Sequence, residues 1–417
     1  MSRYLIRGGN KLCGTCTVQG SKNSSLPILA ASLLSDGETV LHNCPMLSDV
    51  DATVKILTFL GCEVQRKGDT LSVRAAAASG SEIPDGLMRE MRSSVIFMGA
   101  VLAKTGRVRL STPGGCEIGL RPIDLHLDGM RKLGAAVTDE GGFLECTAPK
   151  GLHGAQITLS FPSVGATENL MIAASTADGV TRISNAAREP EISDLADFLN
   201  AMGAHVTGAG EGCVTIEGVK KLHGAVHTVI PDRIAAGTYL AAAAITGGSV
   251  ELNGLIPAHL GPIIDVFEQM GCVVTAKSDS VRLSSPRELR AVRTVRTMPY
   301  PGFPTDIQAP VTAVLTRARG TSVVIETIFE SRFKYIGELV RFGAQIRTDG
   351  RMAVIQGVEK LFPAHAETPD LRGGAALALA ALSAEGESEL TNIRHIERGY
   401  QDLAGTLRAL GADVAYE

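Results

Sequence analysis

LTFLGCEV at 57–64, MRKLGAAV at 130–137, LNAMGAHV at 199–206, FEQMGCVV at 267–274, LVRFGAQI at 339–346 and LRALGADV at 407–414 state one pattern six times. Each reads apolar-x-x-apolar-Gly-x-x-apolar. The glycines, Gly61, Gly134, Gly203, Gly271, Gly343 and Gly411, stand 73, 69, 68, 72 and 68 residues apart. Six such units fill the 417 residues, and self-similarity at a fixed period marks an array of like units. The residues before each glycine carry helical spacing, as in Ile192, Leu195, Leu199 and Met202. The glycine then supplies a left-handed cap. Alternating apolar residues around a polar turn follow, as in AAVTDEGGFLEC at 135–146, and predict a hairpin.

Working outward, each unit holds a second helix that is apolar nearly all round. The six are SSLPILAASLL (24–34), SSVIFMGAVLA (93–103), ENLMIAAST (168–176), AGTYLAAAAI (236–245), APVTAVLT (309–316) and GGAALALAALS (373–383). A helix without a polar face belongs in an interior. A strand such as GETVLHN or GVTRISN follows each. One unit therefore reads strand, buried helix, strand, amphipathic helix, strand, strand, with helices inside and sheets outside. The sixth unit stops at ADVAYE, one hairpin strand short, and RYLIRGG with KLCGTCTVQG at the N-terminus supplies the missing strands. KLCG also matches GLHG at 151–154 and KLHG at 221–224, each the lead-in to a buried helix. Six units divide as three plus three: one domain at 22–230, the other at 1–21 plus 231–417.

Composition narrows the function. Trp is absent and aromatics are 4%, so Ala, Val, Ile and Leu must build the core. The net charge of −4 carries no basic footprint for nucleic acid. The most apolar stretch, Tyr239 to Ile245, is far short of the ~20 residues a bilayer requires, so no membrane span is expected. The N-terminus lacks the apolar core of a signal peptide. Eight cysteines are too sparse for a disulfide scaffold, and the expected location is cytoplasmic. Cys13 and Cys16 form a C-x-x-C without a second pair, and no metal site is expected.

The buried helices all open on a polar group: Lys22-Asn23, Arg92, Ser163-Val164-Gly165, Asp232-Arg233, Asp306 and Arg372. Helix N-termini offer unpaired N–H groups and the positive end of a dipole, and added cations make them anion sites. The alternative reading of the same residues is as helix caps and hinge salt bridges. A second suggestive segment is TPGGCEIGLRPIDLH at 112–126. Three glycines surround Cys116, with Arg121 and Arg109 near in sequence. A thiol in such surroundings is reactive. Cys62 and Cys272 follow the repeat glycine where other units place Ala, which marks a packing position.

SKNSSLP (21–27), PGGCEIGLRPIDLH (113–126), SVGATEN (163–169), EPEISDLADFL (189–199), PDRIAAGTYL (231–240), YPGFPTDIQAP (300–310), IFESRF (328–333), DLRGG (370–374) and HIERGYQDL (395–403) carry a full-length resemblance. The chain resembles the UDP-N-acetylglucosamine enolpyruvyl transferase (MurA) family. The resemblance implies a two-domain inside-out α/β barrel. It implies transfer of the enolpyruvyl group of phosphoenolpyruvate to the 3-hydroxyl of UDP-N-acetylglucosamine, the committed step toward peptidoglycan, with no cofactor. By the same resemblance, Lys22, Arg121 and Arg398 hold the phosphate of phosphoenolpyruvate, and Arg332 and Arg372 its carboxylate. Arg92 is a further cation, and Asn23 binds the sugar. Asp306 takes the hydroxyl proton. Cys116 acts as acid or in product release and is the target of fosfomycin. The uridine lies against Arg121, Pro122, Ile123, Asp124 and Leu125. The diphosphate meets Ser163, Val164 and Gly165, and the sugar meets the Ile328 carbonyl.

The chain departs from the family pattern at three places. Ser21 replaces a frequent Ala, Phe161-Pro162 stands where some members put a Lys that reaches the nucleotide, and Ala235 replaces an acidic residue. The loss of that Lys would weaken diphosphate binding unless His126 or Arg233 compensates. A shikimate-3-phosphate enolpyruvyl transferase shares the expected fold and donor but lacks the PGGC loop. A silent UDP-sugar-binding paralogue would not need Lys22, Cys116, Asp306, Arg332, Arg372 and Arg398 together.

Overall fold

The computed structural model describes residues 2–91, 93–111 and 123–417. All six repeat glycines adopt positive φ, between 86° and 100°, which ends the amphipathic helix and turns the chain into the hairpin. The residue after each is Cys62, Ala135, Ala204, Cys272, Ala344 or Ala412, all buried or at the edge of burial, so this position accepts only a small side chain.

Among the described residues the chain folds as two units, one of residues 20–230 and one of residues 2–19 with 231–417. In the 20–230 unit, three helices pack on one another: Lys22–Ser32, Phe97–Thr105 and Val164–Ala174. Three four-stranded sheets cover them. Each joins one parallel lead-in strand to three antiparallel strands, as in Gln156–Thr158, Val180–Ser184, Cys213–Glu217 and His205–Thr207. The strands alternate between buried and open residues, so one face seals the helices and the other faces solvent. Close helix packing depends on small residues. A Cβ on Gly99 would stand 2.4 Å from the Asn169 carbonyl oxygen, so Gly99→Ala must force the Phe97–Thr105 and Val164–Ala174 helices apart.

The 231–417 unit repeats the arrangement with Arg233–Thr246, Thr305–Leu315 and Leu371–Ser383. Twelve of the thirteen residues of the last helix are buried, which its Gly-Gly-Ala-Ala opening permits. The lead-in strands of the first and fourth repeats are exchanged. Cys13–Thr17 pairs in parallel with Ser249–Asn253, and Val226–Thr228 pairs in parallel with Glu38–His42. The strand missing from the sixth hairpin is Tyr4–Gly8, which lies between Gly386–Thr391 and Asp413–Tyr416, with Tyr4 opposite both Leu390 and Tyr416.

One helix departs from the period. In the second repeat the chain makes a 3-10 turn at Ser94–Ile96 and becomes α-helical only at Phe97. Regular helix therefore starts later after position 92 than in the other units, where residues 22, 165, 233, 306 and 372 are the first or second helical residue.

Candidate active site

In the 20–230 unit, Ser21 caps the first buried helix through its hydroxyl, which accepts from the Ser24 N–H. The cap sets Lys22 at the first helical position. Its ammonium is buried and lies 3.1 Å from an Asp49 carboxylate oxygen; Asp49 sits in the first turn of Ser48–Phe59. A cation at a helix N-terminus opposes the dipole, so it requires such a partner. Asn23 follows, half-buried. Ser163 caps Val164–Ala174 and accepts from the Ala166 N–H, leaving Val164 and Gly165 as the first helical residues. Asp124 opens the helix Asp124–Lys132, with half-buried Ile123 and Leu125 on either side.

His126 sits beside this turn, and its protonation can be deduced. The Gly99 N–H donates to Asn169 Oδ1 at 2.6 Å, which fixes the amide orientation. Asn169 Nδ2 then donates to the Val95 carbonyl and to His126 Nδ1 at 2.9 Å. Nδ1 is an acceptor, so the ring proton is on Nε2. Nε2 lies 3.5 Å from where a Cβ on Gly165 would stand. Burial pushes the imidazole down to about 4, with Asp124 opposing the shift. His126 therefore presents a neutral N–H and does not supply a cation at neutral pH, which leaves Arg233 as the remaining candidate to compensate for Phe161-Pro162. Glu168, on the same helix as Gly165, is also buried, and its Oε1 has no partner among the described residues. Burial, then Glu191 and Glu189, hold its pKa well above the usual carboxylate range.

In the 231–417 unit, Asp306 is the second residue of Thr305–Leu315. One carboxylate oxygen accepts from Arg332 Nη2 at 2.7 Å and the other from Arg372 Nη2 at 3.0 Å. Both arginines are buried, and Arg332 Nε with Arg372 Nε and Nη1 find no acceptor among the described residues. The Asp370 side chain caps Leu371–Ser383 by accepting from the N–H groups of Arg372 and Gly373. The Arg372 guanidinium lies 5.4 Å from the Tyr400 ring centroid. Burial lowers the pKa of Arg372, but Asp306, Tyr400 and Asp232 outweigh it and raise it. Arg398 ends the 3-10 turn Ile393–Arg398, two residues before Tyr400, and is half-buried, as is Ile328.

The structure thus brings Asp306, Arg332 and Arg372 into one ion-paired cluster and sets Lys22 on Asp49. Cys116, Arg92, Arg121 and Pro122 lie outside the described residues. Asp49, Glu168, Asp370 and Glu326 escaped the sequence reading. Of these, only Asp370 had a local signal, an Asp just before a helix start.

The family described as EPSP synthase (3-phosphoshikimate 1-carboxyvinyltransferase) matches residues 6–407. The chain is 50% identical over 414 residues to UDP-N-acetylglucosamine 1-carboxyvinyltransferase 2 of Caldanaerobacter subterraneus subsp. tengcongensis, covering 99% of each. It is 51% identical over 418 residues to UDP-N-acetylglucosamine 1-carboxyvinyltransferase 1 of Symbiobacterium thermophilum, covering 99% of this chain and 95% of that one. Among solved structures, the enolpyruvyl transferase NikO from Streptomyces tendae superposes with a TM-score of 0.91 at 26% identity, covering 100% of this chain and 98% of that one. An EPSP synthase from Acinetobacter baumannii shares the fold, with a TM-score of 0.75 at 19% identity and full coverage of both chains. The chain therefore belongs to the enolpyruvyl transferase family, on the branch of the UDP-N-acetylglucosamine 1-carboxyvinyltransferases.

Proposed function

We propose that the chain transfers the enolpyruvyl group of phosphoenolpyruvate to the 3-hydroxyl of UDP-N-acetylglucosamine and releases phosphate, the committed step of peptidoglycan synthesis. Relatives of that name at about half identity over nearly the whole chain support the reaction. One observation carries the chemistry: a carboxylate, Asp306, is gripped by two buried guanidiniums whose forks suit a planar anion. A carboxylate held by two cations is a poor base. When the substrate carboxylate takes over Arg332 and Arg372, Asp306 is released to accept the hydroxyl proton. The sugar oxygen then bonds to the substituted carbon of phosphoenolpyruvate while the methylene carbon gains a proton. The tetrahedral intermediate loses that carbon–phosphate oxygen bond and a methyl proton to restore the double bond.

Lys22, Arg121 and Arg398 hold the phosphate in this reading, with Arg92 a further cation. Asn23 and the Ile328 carbonyl hold the sugar. Ser163, Val164 and Gly165 meet the diphosphate, joined by the His126 N–H, and 121–125 meets the uridine. Cys116 serves as acid or in product release and is the site of fosfomycin attack. The reading needs neither a cofactor nor a metal. Residues 22–230 and 1–21 with 231–417 act as its two domains, a division supported by the boundaries between the folded units at 19/20 and 230/231. A cytoplasmic location accords with two observations: no described helix is long and apolar enough to cross a membrane, and the described cysteines are all unpaired.

Phosphate release tests the proposal. Turnover is expected with phosphoenolpyruvate and UDP-N-acetylglucosamine, and not with shikimate 3-phosphate. The reverse preference, or binding of the sugar nucleotide without turnover, refutes it.

A further inference from the structure

Glu326 follows the strand Thr321–Ile325 and is 1% exposed. No Lys or Arg forms an ion pair with it among the described residues; four neutral donors surround it instead. Oε1 accepts from Thr297 Oγ1 at 2.9 Å, Ile328 N at 2.7 Å and Phe329 N at 3.1 Å. Oε2 accepts from Thr305 Oγ1 at 2.9 Å. The donor roles are fixed. The backbone N–H groups can only donate, and Thr297 Oγ1 already accepts from the Thr327 N–H, so its own proton turns to Glu326. Oε1 takes three of the four donors, so they share its two lone pairs, and Oε2 takes the fourth.

Each oxygen holds a different piece of the site. Through Ile328 and Phe329, Oε1 sets the turn whose Ile328 carbonyl is proposed to meet the sugar. Through Thr305, Oε2 sets the first residue of the helix whose second residue is Asp306. That helix has Pro304 at its cap position and no side-chain cap. The Thr305 carbonyl also accepts from the same Arg332 nitrogen that grips Asp306, at 3.1 Å. Thr305 is thus held at its hydroxyl by Glu326 and at its carbonyl by Arg332, which leaves the Asp306 backbone little freedom.

We infer that Glu326 is a positioning residue whose carboxylate sets Asp306 through Thr305 and the Ile328 carbonyl through the N–H groups of Ile328 and Phe329. The inference rests on the roles proposed above for Asp306 and Ile328. Glu326→Asp keeps the charge but shortens the reach by one carbon, so both arms cannot be served. It should lower kcat about 10- to 100-fold, the scale of a misplacement near 1 Å, and raise KM for UDP-N-acetylglucosamine. Thr305→Val cuts only the Oε2 arm. It should lower kcat to a similar degree with KM for the sugar nucleotide little changed, and Thr305→Ser should restore activity. In an Asp306→Asn background, Thr305→Val should cost no further kcat, because the group it positions is gone.

An undiminished Thr305→Val loss in that background overturns the inference, as does an unchanged kcat in the single variant. The base assignment fails separately, if Asp306→Asn alone retains wild-type kcat. If Glu326→Asp does not fold, the Thr305 variants decide the matter alone, with melting temperatures to confirm that the chain is intact.

Discussion

Asp306→Asn should destabilise the protein, and phosphoenolpyruvate alone should restore the loss. Asp306 is 26% exposed in its side chain, while its partners Arg332 and Arg372 are 4% and 2% exposed. Removing one member of a buried ion pair costs about 3–5 kcal/mol, because the remaining charge is stranded. Here two guanidiniums lose one shared counter-charge. The asparagine keeps one acceptor oxygen, and the open side of the carboxylate is screened by water. The net cost is then about 2–3 kcal/mol. For a unit of this size, each kcal/mol moves the melting temperature by about 2–4 °C, so a fall of roughly 5–10 °C is expected. An anion at about 100 times its Kd returns about 2.7 kcal/mol. The assay is thermal unfolding of both proteins against phosphoenolpyruvate without sugar nucleotide. The variant should gain more than the wild type, in which the ligand must first displace Asp306. Equal melting temperatures without ligand, or equal ligand-induced shifts, would refute the claim that Asp306 occupies the anion site.

Fosfomycin with UDP-N-acetylglucosamine should modify Cys116 alone, and Cys116→Asp should stay active and resist the drug; peptide mass mapping that finds another labelled cysteine contradicts the assignment. His126, held down to about 4 from 6.5, contributes stability that is present above pH 6.5 and lost as pH falls toward 4, by up to about 3 kcal/mol. Denaturant unfolding from pH 7.5 to 5 should therefore show a shallower loss in His126→Gln than in the wild type. Glu168 has the opposite sign: its raised pKa gives stability that is full below pH 4.5 and lost as pH rises. Glu168→Gln should raise the melting temperature more at pH 8.5 than at pH 5, and equal gains at both would show that Glu168 does not carry the cost of a buried charge.

The architecture was legible because each of its devices is local. A glycine at positive φ closes every amphipathic helix, and a small residue after it marks the packing position; both leave a mark in one stretch of eight residues. The all-round apolar helices needed no partner to be recognised. What escaped were choices made between distant segments. Nothing near Val226–Thr228 announces that it pairs with Glu38–His42 of the first repeat. Lys22 was visible as a helix-start cation, but Asp49 was one of two acids in LSDVDATV until folding placed it 3.1 Å away. Glu326 draws its four donors from positions 297, 305, 328 and 329, so no window of sequence contains its environment. His126 looked like a spare cation because its residue type permits a charge; only burial and the Asn169 amide show that it carries none.

Lys22, Arg233 and Arg372 place cations where the helix dipole is already positive, which is unfavourable without acids nearby. The acids supplied are of two kinds. Asp232 and Asp370 accept backbone N–H groups of the turns they cap, two each, and replacing them would leave those donors unpaired. Asp49 and Asp306 meet the cations through side-chain ion pairs instead. An arriving anion can displace the second kind without disturbing a helix cap, since it brings the same charge to the same nitrogen. On the proposed roles, the fixed caps hold the cations in place, and the exchangeable acids keep them neutralised until substrate arrives. Asp306 differs from Asp49 in one respect on the proposed mechanism: once displaced, it is the group that receives the hydroxyl proton. Binding of the donor carboxylate and activation of the acceptor are then a single exchange at Arg332 and Arg372, so a chain unable to bind the carboxylate would also hold its base in the ion-paired, unreactive form.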